Sequence, residues 1–131
     1  MSIEEITLDQ ARKEKEQLKH VINIADAFER LCSNNDFKLV FLDNYVEKEP
    51  TRLVQLLGDP AYVYGNNREA ILKDLHEQML GIAYFTAYMR SLPAKKEMAL
   101  KGLNNLNEAE NEYYRELEDN GAYRVLEENG A

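Results

Sequence analysis

The sequence predicts an all-α protein, a bundle of about five helices, and three observations carry that expectation. Leu72, Leu75, Met79, Ile82, Thr86 and Met89 follow one another at steps of three and four, which lays them in one stripe along a helix of period 3.6. Leu18, Val21, Ala25, Phe28 and Cys32 repeat the same alternation earlier in the chain. Turn-forming residues fall between the stripes, at Ser33–Asn35, Gly58–Pro60, Pro93 and Asn120–Gly121. Two long amphipathic helices are therefore expected over 7–33 and 66–92, with a thinner helix after them.

The first helix should open at Thr7, which forms a capping box with Gln10, while Ile6 folds onto Ala11 as a hydrophobic staple. Its early turns, Arg12 to Glu16, are charged all round and suit solvent or the side of a neighbour. Ile22, Ile24 and Leu31 widen the apolar stripe that follows, which fits a globular core better than a two-stranded seam. Asp36 is the expected cap of a second helix in which Phe37, Val40, Phe41 and Tyr45 share a face. A strand through Leu39–Leu42 is the alternative, and the pairing of Phe37 with Phe41 favours the helix.

Pro50 fits the first position of a helix and not its interior, so a break is expected at Lys48–Glu49. A third helix, Pro50 to Leu57, should point Leu53, Val54, Leu56 and Leu57 inward until Gly58 and Pro60 stop it. The connection Asp59–Gly65 carries Tyr62 and Tyr64, which either serve recognition or cover the top of the bundle. Asn66, with Glu69 three residues on, should start the central helix, and Pro93 should end it. The last helix, Pro93 to Asp119, has the thinner stripe Ala99, Leu103, Leu106, Tyr113 and Leu117, interrupted by Glu110. Residues 1–121 read as one helical domain. Residues 122–131 read as an acidic tail whose short apolar patch, including Tyr123, Val125 and Leu126, either docks back or awaits a partner.

A chain of 131 residues is long enough to bury an ordinary core without staples. Its single cysteine, Cys32, has no internal partner and sits where a small buried hydrophobe is expected. The opening MSIEEITLDQ is acidic and lacks the basic-then-apolar run of a signal peptide. No run of eighteen consecutive apolar residues suggests a membrane span. Sixteen basic against 24 acidic residues give a net charge of −8, and residues 104–131 hold eight carboxylates against two arginines. Such a surface repels phosphate backbones and anionic membranes, which counts against nucleic acid and membrane as partners.

The motifs of chemistry are missing or poor. His20 and His76 lie in different expected helices, without the Glu-x-x-His spacing of di-iron bundles or the paired histidines of a zinc-protease helix. No glycine-rich phosphate cradle, no Gly-x-Ser-x-Gly elbow and no Cys–His pairing occurs, so no enzyme, metal site or cofactor is expected. The basic residues cluster only at Lys95–Lys96, with Lys101 nearby. Arg52 is placed to reach Asp43 or Glu47 across a turn, as a structural salt bridge. What the pattern supports is association, because thinly striped helices gain most of their stability from packing against other surfaces.

The stretches Asn35–Asp36–Phe37–Lys38, Asp43–Asn44–Tyr45 and Glu49–Pro50–Thr51–Arg52–Leu53–Val54, followed by Ile82–Ala83 in the long helix, resemble a pattern in small helical proteins of tailed, particularly short-tailed, bacteriophages. The resemblance spans Leu18 to Leu92; Pro50, and Asn44 before Tyr45, depart from it. It implies a virion or packaging-module protein, found in the host cytoplasm or the virion. The expected function is thus a non-enzymatic phage structural or assembly protein that forms a homo-oligomer and binds other phage proteins. Tyr62, Tyr64, Tyr123, Val125 and Leu126 are the contacts expected for it. Two alternatives are the small DNA-recognising subunit of the packaging motor, or terminase, and an acidic inhibitor that imitates DNA charge against a host protein.

Overall fold

The computed structural model describes the backbone of residues 3–129 and the side chains of residues 8–121. Every regular element among them is helical: α1 (Ile3–Cys32), a short α2 (Asn35–Phe37), a π-helical stretch (Lys38–Lys48), α3 (Glu49–Leu57), a 3₁₀ turn (Gly65–Asn67) and α4 (Arg68–Asn129). The chain divides into two compact units. One joins residues 1–23 to 95–131, and the other is continuous over 24–94. Helices α1 and α4 each contribute to both.

In the continuous unit, α1 ends where the short polar side chains begin. Ser33 and Asn34 donate their backbone N–H groups to the carbonyls of Arg30 and Leu31 at 3.1 and 2.9 Å, tightening the last turn. The next helix is capped two residues before the expected Asp36. Asn34 is extended, and its side-chain oxygen accepts from the Phe37 N–H at 3.0 Å. Asp36 falls instead in the first turn, where its charge complements the helix dipole.

The segment 37–46 is helical, as the Phe37–Phe41 pairing predicts, but it is wound wider than an α-helix. Its hydrogen bonds skip an extra residue, so that the Glu49 N–H reaches the Asn44 carbonyl. The wide register ends at a proline. In an α-helix the Pro50 ring would press on the Val46 carbonyl and leave it without a donor, and a turn holding one more residue avoids that collision. The expected break at Lys48–Glu49 is therefore a change of register, because both residues keep right-handed helical backbone.

A chain of rings holds this unit together. Phe28 of α1 meets Phe37 edge-on at 6.2 Å, and Phe37 stacks on Phe41 at 5.3 Å. Phe41 and Tyr45 then both lie against Phe85 of α4, at 5.7 and 5.5 Å. Beside them Leu53 and Leu75 are fully buried with Ile82, and Tyr45, Leu56, Val63, Ile71 and Met79 pack around them. The stripe read from the sequence is the stripe that is buried: Leu75, Ile82 and Met89, seven apart, face inward on α4. On α3 the expectation fails for two residues. Leu53 is buried and Leu56 half-buried, whereas Val54 and Leu57 lie on the outward side and are exposed.

The other unit pairs the first part of α1 with the last part of α4, antiparallel. Leu18 lies against Gly102, and Lys15 forms an ion pair with Glu110, both side chains mostly shielded. Glu110 breaks the apolar stripe in order to meet Lys15. Ala99 is buried and Leu103, Leu106 and Tyr113 are half-buried, but Leu117, expected inward, is exposed.

Three expected helix boundaries do not exist. α1 already runs through Thr7 from Ile3, and α4 passes through Pro93 and through Asn120–Gly121 to Asn129. The expected fourth and fifth helices are one, so five separate helices are not found. Leu92 and Ala99, on either side of Pro93, are buried, and packing of this kind offsets the cost of a proline in a helix. No helix among the described residues is long and apolar enough to cross a membrane.

Candidate functional site

The connection after α3 is built by turn chemistry. Gly58 ends the helix, and the Asp59 side chain accepts from the Ala61 N–H at 2.9 Å. The Asp59 carbonyl accepts from Tyr62 and Val63, at 3.1 and 2.9 Å. That folding turns Val63 toward the core and leaves Tyr62 and Tyr64 outside, the latter 66% exposed. Gly65 follows with φ of +71°, a conformation that glycine adopts without strain. Tyr62 and Tyr64 line an open hollow together with Asn66, Asn67 and Ile71. Asn66 is thus part of the 3₁₀ turn before α4, one element earlier than the expected cap.

Arg52 and Glu49 stand near this connection. The guanidinium donates from Nε and Nη2 to the two carboxylate oxygens of Glu49, at 2.6 and 2.9 Å. Its partner is thus Glu49, one turn before it on α3, rather than Asp43 or Glu47. The hydrogen bond from Arg52 holds the Glu49 carboxyl below its ordinary value, with burial opposing the shift and the guanidinium charge adding to it. The same pairing raises Arg52, with a smaller contribution from Tyr62. Of the other expected contacts, the side chains of Tyr123, Val125 and Leu126 lie outside the described residues.

A second apolar surface lies on α4. From Gln78 to Met89 the chain carries no charged residue, against 31% charged overall. Leu80, Tyr84 and Tyr88, at steps of four, stand exposed on the side of α4 opposite Ile82 and Met89. Tyr84 is 71% exposed. Leu39, Val40 and Val54 are exposed as well. In the sequence this surface shows as an unbroken uncharged window, which a search for one apolar stripe does not single out.

The described residues hold no group of three or more His, Cys, Asp or Glu side chains that could share a metal. His20 and His76 are exposed, and Cys32 is a half-buried free thiol. These surfaces present exposed aromatic and aliphatic side chains, with the carboxamides of Asn66 and Asn67 beside Tyr62 and Tyr64. No protein-family model matches this chain, and neither a curated protein nor a solved structure is detectably similar to it.

Proposed function

We propose that this chain is a non-enzymatic bacteriophage structural or assembly protein, which self-associates and binds other virion proteins. The observation that carries the associating part is the uncharged outer side of α4, where Leu80 and Tyr84 stand in water on a chain that is otherwise strongly charged. A helix apolar on both sides is the kind that other surfaces cover. The Tyr62–Tyr64 hollow adds a second place for contact, with polar groups to orient what docks there. The phage context rests on the resemblance of residues 18–92 described above. The acidic balance favours protein over nucleic acid as the partner.

Mass spectrometry of purified phage particles tests the reading. Peptides of the chain in fixed ratio to other virion proteins are expected. Absence from particles, together with a shift of phage DNA in a gel, would point to the packaging subunit instead. Absence together with tight, salt-sensitive binding to a basic host protein would point to the DNA-imitating inhibitor.

A further inference from the structure

We infer that the outer side of α4 between Gln78 and Met89 is the docking face for a second copy of this chain, with the two helices antiparallel. The inference rests on the self-association reading above and names its surface. Within the continuous unit, the inner side of this segment buries Ile82 and Met89, while Leu80, Ala83, Tyr84 and Ala87 face solvent. Twelve residues without a charge, on a chain with 40 charged side chains, make a window unlike the surface around it.

Charge narrows the occupant to a neutral surface, and the self-complementary pattern of large and small residues points to a second copy. A face without charge offers nothing to a strongly basic or acidic partner, and its best match is another neutral helical face. Two copies of a chain with net charge −8 repel one another, least where the charge is missing. The face also complements itself. A two-fold axis between Ala83 and Tyr84 sets Leu80 against the partner's Ala87 and Tyr84 against the partner's Ala83. Large side chains then meet small ones in both directions, as an isologous contact requires. The same axis brings Glu77, which already has Lys73 at 3.9 Å on its own helix, toward the partner's Arg90, and opposes the two helix dipoles. Parallel pairing would set like beside like.

Four exposed side chains on three turns of one helix make a small contact, at the weak and reversible end of protein interfaces, below about 1,200 Å² in total.

Sedimentation velocity on the full chain, with Tyr84→Glu as the variant and circular dichroism as the check on folding, tests this. The native chain should dimerise as its concentration rises, and Tyr84→Glu should weaken the dimer at least about tenfold with helicity unchanged. In a Cys32→Ser background, chains with His76→Cys mixed with chains with Ser91→Cys should give a mixed dimer under a short bismaleimide, and neither chain alone should. A native chain that stays monomeric overturns both this inference and the self-association reading. An oligomer that Tyr84→Glu leaves intact overturns this inference alone. Should Tyr84→Glu unfold the chain, the mixed cross-link decides, and its absence counts against the antiparallel face.

Discussion

A Cβ at Gly102 would stand 3.2 Å from Leu18 Cδ1, so α4 and α1 meet there with room for a bare backbone and little more. Filling that gap should push the helices apart. Gly102→Leu is expected to cost about 1–3 kcal/mol by overpacking. Adding Leu18→Ala should return part of the loss, because the smaller side chain makes the space. Urea unfolding of the two single variants and the double variant measures this coupling. Independent, additive losses would mean that the two residues do not share the contact.

Pro93 lies inside α4, where it interrupts hydrogen bonding, and not at the start of a new helix. Pro93→Ala should therefore raise stability, by up to about 3 kcal/mol, and leave helicity the same or higher. At a first helical position the same change would be neutral or slightly harmful. Thermal unfolding followed by circular dichroism separates the two outcomes.

Leu53 and Leu75 have no exposed surface, while Val54, one residue along α3, is largely in water. Leu53→Ala or Leu75→Ala should cost about 2–5 kcal/mol. Val54→Ala should stay within about 0.5 kcal/mol of the native chain. Comparable losses at positions 53 and 54 would contradict the way α3 is turned.

Arg52 holds the Glu49 carboxyl below its ordinary value, chiefly through their hydrogen bonds. A carboxyl lowered on folding adds stability above its unfolded pKa, and that stability is lost as the pH falls through the folded value. The pair is exposed to solvent, so the dependence is confined to acid and is slight. Carbon-13 titration should find Glu49 low in the native chain and moved back upward in Arg52→Gln. An unmoved Glu49 would show that the pair does not persist in solution.

Much of the fold was legible in spacing. The heptad Leu75, Ile82, Met89 is buried because burial of one side of a helix requires that repeat, whatever the partner. The punctuation was less reliable. Pro93 and Asn120–Gly121 raise the local cost of a helix without forbidding it, and neighbours such as Leu92 and Ala99 bury enough to offset it at the proline. The wide turns before Pro50 have no composition of their own. The Pro50 ring accounts for the last of them, at the Val46 carbonyl, and spacing does not display the others. At the surface, Tyr62 and Tyr64 were recognisable because turn residues surround them. Tyr84 was not, since an aromatic on a helix reads as core until the opposite side is known to be filled.

Light scattering on the purified chain, over a wide range of concentrations, tests most directly whether the chain self-associates. A mass that climbs from 15.2 kDa toward twice that value is the expected result. A mass fixed at 15.2 kDa up to the highest concentration reached would contradict it.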